Sequence, residues 1–333
     1  MKLKKFWIVM TIVASLIGLS GCGAKETSGS AESNSGKKFT VNIANNGSQG
    51  LILFAKEKGW FEEEFAKIGG EVKWSDFASG PPLLESLAAG RVDFSFLGDG
   101  AEISATANKL PVTVLSQLSD GLKGLNILIV PAKSKAQTLS DLKGKKIALA
   151  KGTTMHVFFI KALKEAGLKE SDFQIIQLQS DEAVAAFESG AVDAWVGADP
   201  YTTIQVKKNG ARVLTSAESL GIKAPSFTFG RTDFVKEHPQ AAGAYLRGLQ
   251  KAIDYQASHL DEVISFIANA KKVDKSVIEL ITNNSHFLNI PVSKEVLEIH
   301  QKSADILLEA GFIKHKVDVS KNVDNTAIEQ VKN

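Results

Sequence analysis

From residue 38 onward, apolar positions along the chain alternate between two spacings. Short apolar runs such as "FTVNIAN" and "VDFSFLG" are typical of strands, and stretches such as "AEISATAN" repeat at helical spacing. Strands and helices then alternate as "FTVNIAN", "LILFAKEKGWFEEEFAK", "EVKWSDF", "PPLLESLAAG", "VDFSFLG", "AEISATAN" and "VTVLSQL". This alternation predicts an α/β fold with mostly parallel sheets flanked by helices.

The same order begins again after the strand "LNILIVPAKS". The second run reads "KKIALA", "MHVFFIKALKEAGL", "DFQIIQLQ", "DEAVAAFESG", "VDAWVG", "DPYTTIQVKKNG" and "ARVLT", again alternating strand and helix. From Phe234 the chain is mostly helical, with two amphipathic patterns up to "FIANA", then "DKSVIELITNN" and "SKEVLEIHQKSADILLEAGFI". We expect Ser293 to be the N-cap of the last of these helices.

One stretch of the sequence is repeated. "LAAGRVDFSFLGD" in the first run corresponds to "FESGAVDAWVGAD" in the second, with four identities at one fixed offset. The matching pairs are Gly90 and Gly190, Val92 and Val192, Asp93 and Asp193, and Asp99 and Asp199. Chance is the alternative, since short helix–Gly–strand units recur in α/β proteins. We interpret the repeat as architectural, with the same helix–Gly–strand–Asp unit in each of two lobes.

The two runs predict two lobes with a cleft between them. Lobe 1 comprises residues 38–125 and 226–333, because the C-terminal helices are expected to pack back against it, and lobe 2 comprises residues 126–225. Hinge strands join the lobes.

The first 37 residues are interpreted as segments that precede the folded part of the chain. A lysine-containing start is followed by an apolar stretch from Phe6 to Leu19, too short for a comfortable membrane span, and then by "LSGC". This ending resembles the lipobox of bacterial lipoproteins, so residues 1–21 are interpreted as a signal peptide and Cys22 as the lipidated N-terminus. The alternative is a short transmembrane anchor with an incidental cysteine. Residues 22–37 are rich in Ser, Gly and charge and are expected to be a flexible tether.

Composition excludes several functions. The 333 residues include 39 Lys and Arg and 37 Asp and Glu; without the three lysines of the signal, 36 basic residues face 37 acidic ones. There is no basic field for nucleic acid. We find no G-x-S-x-G, H-E-x-x-H, P-loop or G-x-G-x-x-G motif, and the six histidines lack metal-ligand spacing. No catalytic residue, metal or cofactor is therefore predicted, and Cys22, the single cysteine, excludes a disulfide within the chain.

Four loops at strand ends predict a site for an anion. They are "NNGSQG", "GDGAE", "KGTTMH" and "GADPYTT", two in each lobe. Ligands of open α/β sheets bind beyond the carboxyl ends of strands, and helix N-termini favour anions. The candidate ligand-binding residues are Ser48, Gln49, Gly98, Asp99, Gly100, Ala101, Gly152, Thr153, Thr154, His156, Asp199 and Tyr201. The alternative for Ser48, Thr153, Thr154, Asp99 and Asp199 is ordinary helix capping, and for His156 a half-buried helix position.

Several stretches carry a family resemblance. The lipobox, "VKWSDFASGPPLLESLAAGRVDFSFLGD", "LSDLKGKKIALAKGTTMH" and "FESGAVDAWVGADPYTT" resemble substrate-binding proteins of ABC importers for aliphatic sulfonates, a group that includes taurine and nitrate receptors. The resemblance implies a two-lobed periplasmic-binding-protein-like fold of type II with a sulfonate between the lobes, near Thr153, Thr154 and His156. It also implies a monomer, lipid-anchored at the outer face of the bacterial membrane, with an ABC permease and its ATPase as partners.

Two departures from the family pattern leave the exact ligand open. Where the family continues Thr-Pro-Pro after "GD", this chain has "GDGAE", and an aromatic residue is missing before "DPY". Glu102 therefore either faces the cleft, where it would favour a ligand that carries a cation such as taurine, or points to solvent. The chain-level alternatives are nitrate or a pyrimidine as ligand, an enzyme on the same scaffold, and a sensor input module.

Overall fold

The structure, a computed structural model, describes residues 38–47, 50–123, 126–284 and 286–332. Ten strands form two five-stranded sheets. The strands are β1 (Phe39–Asn46), β2 (Gly70–Phe77), β3 (Phe94–Gly98), β4 (Val112–Ser119), β5 (Ile127–Val130), β6 (Lys146–Leu149), β7 (Gln174–Gln177), β8 (Ala194–Gly197), β9 (Arg212–Ser216) and β10 (Ser226–Arg231). The first sheet has the order β2-β1-β3-β10-β4, and the second has the order β7-β6-β8-β5-β9.

Fourteen α-helices in the described part of the chain surround the sheets. They are α1 (Gly50–Glu57), α2 (Trp60–Ala66), α3 (Gly80–Ala88), α4 (Asp99–Ala107), α5 (Thr154–Glu165), α6 (Ser180–Glu188), α7 (Tyr201–Asn209), α8 (Ala217–Leu220), α9 (Thr232–Glu237), α10 (Pro239–Ser258), α11 (Leu260–Lys271), α12 (Lys275–Asn284), α13 (Lys294–Glu309) and α14 (Thr326–Lys332). Within those same residues, no helix is long and apolar enough to cross a membrane.

Both sheets follow one plan, which confirms the predicted α/β class. Three strands of each sheet run parallel, β2, β1 and β3 in the first and β7, β6 and β8 in the second. The fourth strand of each sheet is antiparallel to its neighbours. It is β10 in the first sheet and β5 in the second, and each enters its sheet after the chain has crossed from the other one. Strand β10, "SFTFGR", was not predicted; it is held by pairing with β3 and β4 from an earlier part of the chain.

The repeated aspartates, Asp93 and Asp193, make the same hydrogen bonds in the two sheets, which accounts for this part of the repeated stretch. The main-chain N–H of Asp93 donates to the carbonyl of Asn42 at 2.8 Å, and Asp193 bonds Lys146 in the same way at 2.8 Å. Each carboxylate then accepts the N–H of that same residue, at 2.7 Å for Asp93 and 2.9 Å for Asp193. Both aspartates therefore fix a strand against its parallel neighbour, and their shared role is structural.

Two predicted helical stretches are broken. "LILFAKEKGWFEEEFAK" forms two helices, because Gly59 adopts a left-handed conformation with φ of 69° between α1 and α2. The stretch from Phe234 to "FIANA" forms three, since α9 ends before His238 and Pro239 begins α10. The last long helix is confirmed, with the Ser293 hydroxyl accepting the N–H of Val296 at 3.2 Å.

Each sheet is packed by its own apolar core. Phe61, Phe65, Phe94 and Tyr245 are fully buried against the first sheet, and Tyr245 lies on α10, so the C-terminal helices cover that sheet. Phe158 and Phe159 of α5 fill the core of the second sheet. Burial of apolar surface at about 25 cal/mol per Å² is the main stabilising term for both.

The segments that pass between the sheets touch where they cross. Gly121 follows β4 and has φ of +66°, and a Cβ at this position would lie 1.8 Å from the carbonyl oxygen of Ala224. The N–H of Ala224 in turn donates to the carbonyl of Asp120 at 3.1 Å. Only glycine fits at residue 121, because a side chain would meet the backbone of the second crossing segment.

Candidate functional site

A cavity of about 240 Å³ lies where strands of both sheets end. From the first sheet and its helices it is lined by Asn46, Gly47, Ala78, Ser79, Gly80, Phe96, Gly98, Ala101, Ser226 and Lys271. From the second it is lined by Thr153, Thr154, Met155, Ser180, Asp181, Ala198, Asp199 and Tyr201. Six of the twelve candidate residues therefore lie in this cavity: Gly98, Ala101, Thr153, Thr154, Asp199 and Tyr201.

Five helices begin at the cavity. The starts of α3, α4, α5, α6 and α7 each contribute lining residues. The first amides of a helix have no acceptor within the helix, and the dipole of the helix places partial positive charge there. The convergence of these termini brings the positive ends of several helix dipoles to the cavity and suits it to an anion.

Ser79 adds a hydroxyl at the start of α3. It precedes Gly80 as the N-cap, yet its side chain makes no cap hydrogen bond. Its hydroxyl oxygen is buried and has no hydrogen-bond partner among the described residues. A buried hydroxyl without a partner is costly, so this group is a candidate for contact with a ligand.

Thr153 and Thr154 differ in whether their hydroxyl groups can donate a hydrogen bond to a ligand. The Thr153 hydroxyl donates to the carbonyl of Ala150 at 2.6 Å, so its proton is already used to hold the loop. Thr154 is the first residue of α5 and lines the cavity. Of the two predicted hydroxyl donors, the Thr154 hydroxyl is thus the better placed for a ligand.

Two carboxylates and one ammonium group line the cavity. Burial raises the pKa of Asp199, although hydrogen bonds from Thr203 and Thr202 oppose the shift. Burial also raises the pKa of Tyr201, to about 12, together with the hydrogen bond that its hydroxyl makes to Asp181. Lys271, at the end of α11, has its pKa lowered by burial, an effect that Asp76 partly offsets.

Asp199 caps α7, as the capping alternative had it. Its Oδ1 accepts the Thr202 hydroxyl at 3.0 Å and the Thr203 N–H at 3.2 Å. The capping alternative makes Asp199 the N-cap, but Pro200 is the N-cap and α7 begins at Tyr201, one residue later than that alternative implies. Asp199 therefore both lines the cavity and holds the helix start.

His156 does not line the cavity, and the proposed donation from the cleft wall is not what the structure shows. Its ring is fully buried; Nδ1 accepts the N–H of Gly152 at 3.2 Å, and Nε2 lies 3.2 Å from the Glu170 carboxylate. Because Nδ1 accepts, Nε2 carries the proton that is donated to Glu170. Gly152, also a candidate ligand-binding residue, does not line the cavity either, and its N–H is donated to His156.

Asp99 and Gly100 also lie outside the cavity. Asp99 is fully buried, its Oδ1 accepts the Gly100 N–H at 2.8 Å, and burial raises its pKa while the charges of Lys161 and His300 oppose the shift. Gly100 packs against the chain of the second sheet, since a Cβ there would lie 2.5 Å from the carbonyl oxygen of Thr153. Asp99 and Gly100 therefore lie where the two halves of the molecule pack together.

Both interpretations of Glu102 are wrong. Its side chain is 1 % exposed, so it does not point to solvent. Its Oε2 lies 2.5 Å from Nε2 of His300 on α13, and its Oε1 accepts the Thr106 hydroxyl at 2.7 Å. The carboxylate faces the C-terminal helices, because the helical turn from Asp99 directs this position away from the cavity.

Some lining residues were not predicted, among them those at the starts of α3 and α6 and Lys271. Ser48, Gln49 and Cys22 lie outside the described residues. The starts of α3 and α6 follow strands, so the rule that found the other loops applies to them as well. Lys271 carried no signal, because it comes from the end of a helix far along the chain. No group of three or more His, Cys, Asp or Glu side chains in the described ranges could hold a metal ion.

Related proteins were found by sequence. A Bacillus subtilis (strain 168) protein, provisionally named an aliphatic sulfonates-binding protein, is 40% identical over 322 residues, covering 97% of this chain and 96% of the relative. The taurine-binding periplasmic protein of Escherichia coli (strain K12) is 30% identical over 275 residues, which cover 76% of this chain and 82% of that one. Both of these relatives are named as binding proteins.

Solved structures are similar as well. The alkanesulfonate-binding protein SsuA from Xanthomonas axonopodis pv. citri, bound to MOPS, matches with a TM-score of 0.80 and 25% identity, over 87% of this chain and 99% of that one. A Candida albicans protein described as having the generic periplasmic binding protein fold matches with a TM-score of 0.68 at 14% identity, over 87% and 97%. The predicted periplasmic-binding-protein-like fold is confirmed. The NMT1/THI5 like family profile matches residues 46–263, so this chain belongs to the NMT1/THI5 like family.

Proposed function

We propose that this protein is an extracytoplasmic solute-binding protein that captures a small organic anion, an aliphatic sulfonate, and delivers it to an ABC permease. The observation that carries the proposal is the cavity on which five helix N-termini from both sheets converge. Such a site binds an anion through backbone amides and dipoles, without a basic surface. The names of the Bacillus and Escherichia relatives support a sulfonate, and the MOPS held by the Xanthomonas relative is itself a sulfonate.

The proposed mechanism is closure of two lobes about a hinge. Lobe 1, residues 38–125 and 226–333, carries the first sheet, and lobe 2, residues 126–225, carries the second. A ligand that bonds donors of both lobes stabilises the closed state by the contacts that it makes only there. The contact of Gly121 with Ala224 supports a hinge at the crossing segments, and the closed protein then docks on the permease as a monomer.

Lipid attachment at Cys22 is part of the same proposal. The "LSGC" motif supports processing before Cys22 and a tether through residues 22–37. A lipid anchor keeps the receptor beside the permease, so that captured ligand is delivered over a short distance. A sensor module is the less supported reading, since the relatives in sequence are named as binding proteins.

An enzyme on this scaffold is the second candidate. The desulfurization enzyme DSZB matches the fold with a TM-score of 0.67 at 14% identity, so the scaffold occurs in enzymes. The cavity of this chain offers Thr154, Ser79 and carboxylates, and the described residues that line it include no cysteine or histidine as nucleophile or base. Binding is therefore the function that the lining supports best.

A thermal-shift screen of Lys38–Asn333 tests the proposal. The panel is alkanesulfonates of two to six carbons, taurine, nitrate and a hydroxymethylpyrimidine. We expect sulfonates to raise the melting temperature, because a ligand that binds only the folded state stabilises it. A shift with nitrate or the pyrimidine, and none with any sulfonate, would contradict the proposed ligand class.

A further inference from the structure

Opposite charges face the cavity from opposite halves of the molecule. Lys271 ends α11, which belongs with the helices of the first sheet, and Asp181 lies in the first turn of α6 beside the second sheet. No ion pair joins the two among the described residues; the carboxylate that acts on Lys271 is that of Asp76. The cavity therefore presents a cation and an anion that do not neutralise each other.

Asp181 is held in place and keeps capacity to accept further bonds. The Tyr201 hydroxyl bonds its carboxylate. An ionised carboxylate has about four acceptor positions, so one such bond leaves room for a ligand. The other lining carboxylate, Asp199, differs because it is engaged in the start of α7 through Thr202 and Thr203.

This arrangement does not suit a ligand that is only an anion. A sulfonate gains from Lys271 and from the helix N-termini, but a purely anionic molecule also places its charge in a small cavity with the Asp181 carboxylate. Like charges at short range disfavour binding, and because Asp181 is exposed, solvent screens part of this repulsion. A ligand with a positive group at its far end turns that repulsion into attraction.

We propose that the cavity selects a sulfonate that also carries a cationic nitrogen, with Lys271 facing the sulfonate and Asp181 holding the nitrogen. The inference rests on the proposed function, since it names the substrate class for the same site. An ammonium group donates charge-assisted hydrogen bonds to a carboxylate, and these are about twice as strong as neutral ones. Asp181 thus takes the role that the sequence had assigned to Glu102.

Two ligands of equal length isolate the charge. The affinities of 2-aminoethanesulfonate and 2-hydroxyethanesulfonate are measured by calorimetry with the full chain purified in detergent. The ligands differ only in ammonium against hydroxyl. We expect the amino compound to bind about tenfold more tightly or better, the effect of one charge-assisted hydrogen bond.

Three variants separate this role from general effects. Asp181→Asn removes the carboxylate and is expected to bring the two affinities within about threefold of each other, since the charge-assisted bond is lost. Glu182→Gln is the matched control: it removes a charge from the same turn, outside the cavity lining, where the Glu182 carboxylate accepts the Gln179 N–H at 2.9 Å. It should keep the wild-type ratio. Lys271→Met should weaken both ligands and leave their ratio unchanged.

The outcomes distinguish the inference from the function beneath it. Equal affinity of the wild-type protein for both ligands, or an unchanged ratio in Asp181→Asn, overturns the inference and leaves sulfonate binding intact. The inference is also overturned if Glu182→Gln reduces the ratio as much as Asp181→Asn does. Binding of longer alkanesulfonates but of neither two-carbon ligand overturns the inference alone. Binding of no sulfonate of two to six carbons overturns the proposed function, and the inference falls with it.

Discussion

A Cβ on Gly98 would lie 2.3 Å from Cγ2 of Thr154, so the end of β3 in the first sheet meets the first residue of α5 beside the second. Thr154 is branched at Cβ and cannot swing its methyl group far. The glycines of "GDG", Gly98 and Gly100, let the two halves of the molecule approach each other closely.

Gly98→Ala is therefore expected to weaken ligand binding by at least about tenfold and to cost about 1–3 kcal/mol of stability, the usual effect of overpacking. Calorimetry with 2-aminoethanesulfonate and urea denaturation measure the two effects. Gly243→Ala, in the interior of α10, is the control, because its nearest neighbour is the mobile end of Arg247 at 3.1 Å. Wild-type affinity in Gly98→Ala would show that the contact with Thr154 is unimportant.

Thr154→Val should lower sulfonate affinity about tenfold, the effect of one lost charge-assisted hydrogen bond. Valine keeps the branched shape beside Gly98 and removes only the hydroxyl. Thr153→Val instead breaks the bond to the Ala150 carbonyl, so it should mainly reduce stability, by about 1 kcal/mol. Titration and denaturation of both variants decide the assignment, and the reverse pattern would return the ligand contact to Thr153.

Glu102→Gln should destabilise the protein by about 1.5–3 kcal/mol, because a buried hydrogen bond to a charged group is lost. Urea denaturation measures this change. The ratio of affinities for taurine and ethanesulfonate should stay at its wild-type value, since the side chain faces His300 and not the cavity. A changed ratio with unchanged stability would place Glu102 in the ligand site after all.

Stability should fall in acid through Glu64. Burial opposes its charged form, but hydrogen bonds from Lys251, Lys67 and Arg247 lower its pKa to about 2, from 4.5. A lowered folded-state pKa stabilises the protein above pH 4.5, and this contribution is lost as the pH falls toward 2. Urea midpoints measured from pH 6 to pH 2.5 should drop more steeply for the wild type than for Glu64→Gln. The exposed Glu71→Gln is the control, and parallel curves for all three proteins would contradict the assignment.

Cys22→Ala should release the protein from the membrane fraction or leave its signal uncleaved, because the thiol that receives the lipid is gone. Fractionation and the N-terminal mass of the product measure this. Ser20→Ala serves as a control that keeps the cysteine. An unchanged distribution and mass in Cys22→Ala would refute lipidation at this residue.

Much of the fold followed from local pattern. The spacing of apolar residues and the glycines after helices located the strands of both parallel units, because these signals act within a few residues. The capping role of Asp199 could also be predicted, because its partners Thr202 and Thr203 are only a few residues away along the chain. By contrast, β10 depends on pairing with β3 and β4, which lie far from it along the chain. The break at Gly59 comes from a local glycine signal that the prediction overlooked.

The site was predicted only where its residues follow strands. Thr154, Gly98 and Tyr201 come directly after strand ends, and the general rule for α/β sheets found them. Lys271 enters the cavity from the end of a helix about seventy residues beyond Tyr201 along the chain. The orientation of His156 and Glu102 could not be predicted either, since their partners Glu170 and His300 are brought to them by tertiary packing.

A crystal structure of the protein with bound 2-aminoethanesulfonate shows where the ligand is held. We predict that the sulfonate lies between the sheets, with oxygens about 3 Å from donors of both, the Thr154 hydroxyl on one side and Ser79 or the Gly80 N–H on the other. A sulfonate bound outside this cavity, or bonded to residues of one sheet alone, would contradict this prediction.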